Sequence, residues 1–201
     1  MLVWFTSDPH FSCLNTLKRE HRPFDNVTDY DNYVVNLWNS QVRRKDVIYV
    51  IGDFASCDES WRDGLNVVKR LKARVVLIVG NNEHKMAKTM FDGNYQQFVS
   101  YCKRVGFVDV RYYAYVRIGK HEVYLTHEPR NHNLAHITLF GHVHKGVGVY
   151  KPCGFNMFLD LNYFRLYSEN DILGLIDTRN KYWRYSPNVS DNENPKEEVF
   201  S

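Results

Sequence analysis

Two histidines one residue apart, His142 and His144, follow a glycine at the end of a short apolar run, residues 137–140. A strand alternates its faces, so continued extension points both imidazoles the same way, and a loop lets them converge. The neutral ring offers a lone pair to divalent ions, and imidazoles so spaced commonly hold metal. For this pair taken alone, an ordinary surface loop is the competing reading. Upstream, the arrangement recurs at Asp8 with His10, at Asp53, at Asn81 and at His127. The set holds two carboxylates, one amide oxygen and four imidazoles. Hard oxygen mixed with imidazole nitrogen suits borderline ions such as Mn²⁺, Fe²⁺ or Zn²⁺. Seven ligands are too many for one such ion, but a carboxylate can bridge two. The set therefore predicts a dinuclear centre, with ions about 3.5–4 Å apart.

Each of these residues stands just past an apolar run. Residues 2–6 lead into Ser7-Asp8-Pro9-His10, where proline stops the ladder. A plain turn in which Asp8 caps its own backbone is the alternative there. Residues 46–51 end at Gly52-Asp53, the glycine permitting close backbone approach, and residues 74–79 end at Gly80-Asn81-Asn82-Glu83. Open α/β sheets place ligands at the carboxyl ends of strands. Helices are predicted between the runs, near residues 14–20, over 29–43, over 59–72, and over 84–104 with a break near 92–94. Thr28 is the expected N-cap of the second, and Tyr33, Val34, Leu37, Trp38 and Val42 its core-facing stripe. Strand–helix–strand alternation of this kind predicts an α/β fold. After Gly106 the pattern changes. Residues 108–118 and 121–126 read as a hairpin joined at Gly119-Lys120. Residues 146–150, 157–161, 172–177 and 182–185 read as later strands, with a turn at 178–181. Residues 1–185 are expected to form one domain, and polar residues 186–201 a flexible tail.

Composition is that of a globular enzyme: 44% hydrophobic, 15% aromatic and 24% charged. A net charge of +3 is too weak to argue for nucleic-acid binding, though it does not exclude it. No apolar run is long enough to span a membrane, and the start reads as a strand rather than a signal peptide. Cys13, Cys57, Cys102 and Cys153 are scattered, without a CxxC pair, which predicts reduced thiols in a cytoplasmic protein. Oligomeric state is left open.

In their order, Asp8-Pro9-His10, Gly52-Asp53, Gly80-Asn81, Thr126-His127 and Gly141-His142-Val143-His144 resemble the calcineurin-like metallophosphoesterase superfamily. Arg22-Pro23-Phe24 and Leu159-Asp160-Leu161-Asn162 also look like its compact phage and bacterial branch. The resemblance implies a two-sheet β-sandwich flanked by helices in four αββα layers. It implies that Asp8, His10 and His144 hold one ion, that Asn81, His127 and His142 hold a second, and that Asp53 bridges them. Manganese is the expected metal, with iron, zinc or nickel as alternatives. The implied chemistry is phosphoester hydrolysis by a metal-bridging hydroxide attacking phosphorus in line.

One position departs from the family. Most members have a histidine after Gly-Asn that orients or protonates the leaving oxygen, and here it is Asn82. An amide donates a hydrogen bond but supplies no proton at neutral pH. The departure favours a phosphodiesterase, with a nucleotide or cyclic nucleotide among possible substrates. Alternatively His84 or His132 replaces the missing donor, giving a phosphomonoesterase on nucleotide, sugar or protein phosphates. A catalytically weak metal-binding scaffold is the alternative from another class. Glu83 is expected to orient a ligand, Arg130 and Lys145 to contact phosphate, and Tyr112-Tyr113-Ala114-Tyr115 to serve hairpin packing in preference to stacking on a base.

Overall fold

A computed structural model describes residues 1–129, 136–144, 149–150 and 154–184 of the chain. Strand β1 (Val3–Thr6) is followed by helices α1 (Leu14–Arg19) and α2 (Val27–Gln41), and then by β2 (Val47–Ile51). Helix α3 (Trp61–Asn66), continued by a 3₁₀ turn at Val67–Arg70, leads to β3 (Arg74–Ile78). Helices α4 (Asn81–Met90) and α5 (Tyr95–Val105) lead to β4 (Asp109–Arg111). These four strands pair in parallel, in sequence order, each return made through helices. Thr6 pairs with Val50 and Ile51 with Ile78, so the carboxyl ends of β1, β2 and β3 finish level at one rim.

The second sheet contains β5 (Ala114–Ile118), β6 (His121–Leu125), β7 (Ile137–Phe140), β8 (Val149–Tyr150) and β9 (Gly154–Asn156). Its order is β5-β6-β7-β9-β8. The β5–β6 hairpin is antiparallel, as expected, while β6, β7 and β9 run parallel. Strand β10 (Tyr167–Ser168) then returns to the first sheet, antiparallel to β1, and α6 (Glu169–Arg184) follows.

Strands β2 and β3 are apolar on both faces because both faces are covered. Ile48, Val50, Val75 and Leu77 meet Val34, Trp38, Leu65 and Phe98 from the helices. Phe5, Ile51 and Ile78 turn the other way and meet Val123, Leu125, Leu139 and Phe155 of the second sheet, together with Ile172 and Ile176 of α6. The result is the expected two-sheet sandwich flanked by helices. No helix among the described residues is long and apolar enough to cross a membrane.

Several elements differ from expectation. Asn26, not Thr28, caps α2, its side chain accepting from Asp29 N at 2.9 Å. The buried stripe of α2 is Tyr30, Val34, Val35 and Trp38. Tyr33 instead lies on the surface against the rings of Phe24 and Phe164. The run 108–118 is broken at Tyr112-Tyr113, where the chain crosses from the first sheet to the second. Residues 157–161 form one bridge, Ser7 with Phe158, before a 3₁₀ turn at Leu159–Asn162. Residues 172–177, 178–181 and 182–184 all lie within α6 rather than in two strands and a turn. A short apolar cluster fits helix or strand equally well. The deciding signal is a reciprocal cap, in which Ser168 Oγ accepts from Asp171 N at 3.1 Å and Ser168 N donates to Asp171 Oδ2 at 2.7 Å. Residues 146–148, Tyr185 and the expected tail at 186–201 lie outside the described residues.

Candidate metal centre

The ends of β1, β2, β3, β6 and β7 bring Asp8, His10, Asp53, Asn81, His127, His142 and His144 together at one rim. His144 Nε2 lies 3.3 Å from Asp8 Oδ1 and 3.2 Å from His10 Nε2. On the other side, His127 Nε2 lies 2.9 Å from Asn81 Oδ1, and His142 Nδ1 lies 2.8 Å from the same oxygen. Asp53 stands between these halves, with Oδ2 3.7 Å from His10 Nε2 and Oδ1 3.5 Å from His127 Nε2. Asp8, His10 and His144 form one compact donor set, and Asp8, Asp53 and His127 form another.

The backbone is contorted to achieve this. Asp8 (φ 57°), His10 (φ 48°), Asp53 (φ 52°) and His142 (φ 70°) all occupy the left-handed region. Non-glycine residues are held there only where the surroundings dictate it, and such strain gathers at functional sites. Gly52, at φ 84°, is required twice over. A Cβ there would collide with the His127 ring and come within 2.9 Å of Gly80 Cα. At Gly141 a Cβ would strike the Asp8 carboxylate and lie 2.6 Å from Ser7 Cβ.

Four supporting side chains fix the loops. Buried Glu83 accepts from Gly80 N (2.8 Å), Asp53 N (2.8 Å) and Phe54 N (3.0 Å), tying the β2 and β3 loops together. It holds Asp53 through the backbone, in line with its expected orienting role. Arg22 was visible only as part of a resemblance, with no function attached. Its guanidinium donates to Asp8 O (3.0 Å), Pro9 O (2.7 Å) and Asp160 Oδ2 (2.8 Å), so it clamps the Asp8–His10 turn. Glu20 was missed. Its carboxylate accepts from Arg19 Nε at 2.7 Å and lies 2.9 Å from His144 Nδ1, which Arg19 Nη2 also approaches at 3.2 Å, so the two together brace the His144 ring with Nε2 toward Asp8. Asn82 turns inward: Nδ2 donates to Asp53 Oδ2 at 2.6 Å and lies 3.4 Å from His10 Nδ1.

The donor set fits cations. His127 Nδ1 donates to the Ile51 carbonyl at 2.8 Å, so in the neutral ring Nε2 presents a lone pair. That lone pair faces Asn81 Oδ1, Asp53 Oδ1 and, at 4.0 Å, Asp8 Oδ1, all of them acceptors. Acceptors facing one another in a buried place call for a cation. When the His127 ring is protonated instead, its Nε2–H serves these acceptors: burial lowers the ring, but Asp8 and Asp53 outweigh it and raise the ring above its usual value. The protein's own charges divide the two carboxylates. Burial pushes Asp8 up, but the charges of His127, His144 and His10 outweigh it and hold the group below the usual carboxylate range. Asp53 is pushed up to about 7 by burial, His127 opposing and the like charges of Glu83 and Asp8 adding. Buried negative charge that the protein leaves partly uncompensated is what divalent ions would neutralise.

A groove of about 690 Å³ opens beside the cluster, lined among others by His10, Arg19, Asn82, Lys85, His142 and His144. His84 lies outside it: its Nδ1 is 2.5 Å from Tyr95 Oη and its ring packs on Tyr112. The structure therefore gives no support for His84 as a proton donor in the groove. Arg130, His132 and Lys145 lie outside the described residues. Arg19 and Lys85 are groove cations that sequence reasoning missed, since neither follows a strand.

Residues 1–148 match the family described as calcineurin-like phosphoesterase. An uncharacterised protein of Methanocaldococcus jannaschii is 31% identical over 81 residues, 40% of this chain and 46% of that protein. Gene 66 protein of Mycobacterium phage D29 is 33% identical over 82 residues, 40% of each. The matched stretch thus spans less than half of either curated relative. Among solved structures, a protein of unknown function from Aquifex aeolicus is similar with a TM-score of 0.61 at 18% identity, over 87% of this chain and 99% of that one. That similarity concerns the fold.

Proposed function

The chain belongs to the calcineurin-like phosphoesterase family, and from that premise we propose that it is a metal-dependent phosphoester hydrolase, more narrowly a phosphodiesterase. Residues 1–185 serve as its one catalytic domain. Asp8, His10 and His144 hold one divalent ion, Asn81, His127 and His142 hold the other, and Asp53 is shared, with manganese the expected metal. When bound, the ions supply Lewis acidity, bringing the pKa of water toward neutrality and offsetting charge that builds on the phosphoryl oxygens. The chain's own groups set the rest. Glu20, paired with Arg19, braces the His144 ring, Glu83 fixes the Asp53 backbone, and Lys85 draws an anion into the groove. Free thiols at Cys13, Cys57 and Cys102 are in keeping with a cytoplasmic setting.

The observation that carries the diester reading is the orientation of Asn82. Its amide is spent on Asp53 and His10, so no proton reaches the leaving oxygen from this position. Departure without protonation suits leaving groups of low pKa better than an alkoxide, and the lean toward diesters is what the resemblance implies for members lacking this histidine. The test is hydrolysis of an aryl phosphodiester and of the matching monoester by purified protein with Mn²⁺. The diester is expected to turn over faster. Asp53→Asn is expected to remove that turnover, by more than the ~10–100-fold that loss of an outer partner costs. Faster monoester turnover would overturn the diester reading, and bound metal without turnover of either ester would overturn the hydrolase.

A further inference from the structure

Where the chain crosses between sheets, Tyr112 and Tyr113 are 51% and 56% exposed as residues. Their rings still offer apolar faces beside the solvent, and what sets them apart from the other exposed tyrosines is the cavity they border. With Tyr124, His84 and Glu128 they wall a cavity of about 160 Å³, backed by Val79, Gly80, Thr126 and His127. His127 is one of the seven clustered groups at the centre, so the cavity lies one side chain from it. It shares no lining residue with the main groove.

The walls are mutually braced. Tyr112 packs on His84 at 5.6 Å and on Tyr95 at 5.7 Å between ring centroids, while Tyr113 packs on Tyr124 at 5.8 Å. The Tyr95 hydroxyl and His84 Nδ1, 2.5 Å apart, hold the first group together. Rigid rings lose little entropy when a flat ligand stacks on them. The cavity, of about 160 Å³, has room for one flat heteroaromatic ring system between its aromatic walls. None of these rings has a part in the chemistry derived above. The slot adjoins the centre across the His127 side chain, and a nucleobase is the aromatic group that comes tied to phosphate through a sugar.

We propose that the Tyr112–Tyr113 slot is a nucleobase subsite, taking the base of a nucleotide phosphodiester whose phosphate sits at the carboxylate–imidazole cluster. The placement of the phosphate rests on the phosphodiesterase reading, whereas the slot itself rests on its rings and size.

Calorimetric titration with adenosine 5′-monophosphate and with ribose 5-phosphate, both in the presence of Mn²⁺, reads the slot without turnover. The wild type is expected to bind the nucleotide at least about tenfold more tightly, ~1.4 kcal/mol, in keeping with base–aromatic stacking. Tyr112→Ala and Tyr113→Ala are expected to shrink that ratio toward one, and Tyr112→Phe to preserve it. A kinetic comparison uses the 4-nitrophenyl ester of thymidine 5′-phosphate against methyl 4-nitrophenyl phosphate, which share a leaving group. Here the preference is expected in KM, with similar kcat. Equal affinity for the two phosphates in the wild type, or a ratio that survives both alanine variants, overturns the subsite. If base-free and nucleotide diesters are both cleaved without preference, the subsite falls and the phosphodiesterase stands. If neither is cleaved while the nucleotide ratio still depends on Tyr112, the subsite stands and the phosphodiesterase falls. Competition by a dinucleotide against a longer single strand then separates a free nucleotide from a strand end, since both carry such a base.

Discussion

The Asn82 amide donates to Asp53 and reaches toward His10, so its energy goes into holding two groups of the centre. Removing it frees one carboxylate oxygen of Asp53 while the backbone N–H of residue 82 still donates to the other at 2.9 Å. Asn82→Ala is therefore expected to weaken Mn²⁺ affinity by roughly 10–100-fold without unfolding the protein. Calorimetric titration with the ion measures this, and unchanged affinity would place Asn82 outside the centre's support. At this scale much was legible in the sequence. The seven clustered residues announce themselves by type and by position, each just past an apolar run. Their supports do not. Glu20 lies 124 positions from His144, and Arg22 lies 138 from Asp160. No local pattern marks a side chain whose partner is made near only by folding. His84, two residues on from Asn82, is the converse case: it lies on α4, whose course turns its ring toward Tyr95 and away from the groove.

At the scale of elements, the entry to β2 carries a pH-sensitive tie. Asp46 accepts from Leu2 N at 2.8 Å and from Arg43 N at 2.9 Å, joining the approach to β1 with the turn that follows α2. Burial pushes the carboxyl up, but these two backbone N–H groups favour the charged form and hold it below its ordinary 3.8. A lowered folded pKa gives stability that is fully present above the unfolded value. That stability is lost as pH falls through the folded one. Thermal unfolding followed from pH 6 downward is thus expected to show the wild type losing its advantage over Asp46→Asn below about pH 4. An advantage that is constant across this range would remove the tie. Parallel βαβ elements were read well because continuous apolar runs bounded by glycine have few other uses. Helix α6 was not, since Ile172 and Ile176 fit either periodicity, and only the Ser168–Asp171 cap distinguishes them.

Across the whole molecule, the Arg22–Asp160 pair links the first loop of one sheet to the segment that returns from the other. The guanidinium side chain is fully buried, and Asp160 is largely so. Breaking a buried pair leaves one charge uncompensated, so Asp160→Ala is expected to cost ~3–5 kcal/mol in urea unfolding. A cost below about 1 kcal/mol would show the clamp to be dispensable. The two-sheet architecture was legible through the motif order, whereas the crossing at Tyr112-Tyr113 was not, because both arms share the same Tyr- and Val-rich composition. The clustered groups come from loops between residues 8 and 144, and the first sheet alone contributes only Asp8, His10, Asp53 and Asn81. A nascent chain leaving the ribosome can therefore build most of β1–β4 while still offering an ion only a partial, loosely held set of oxygens and one imidazole. On the proposed ligand set, tight capture would wait until β6 and β7 have docked, so the metal would be selected once both sheets are in place and not by the first sheet alone.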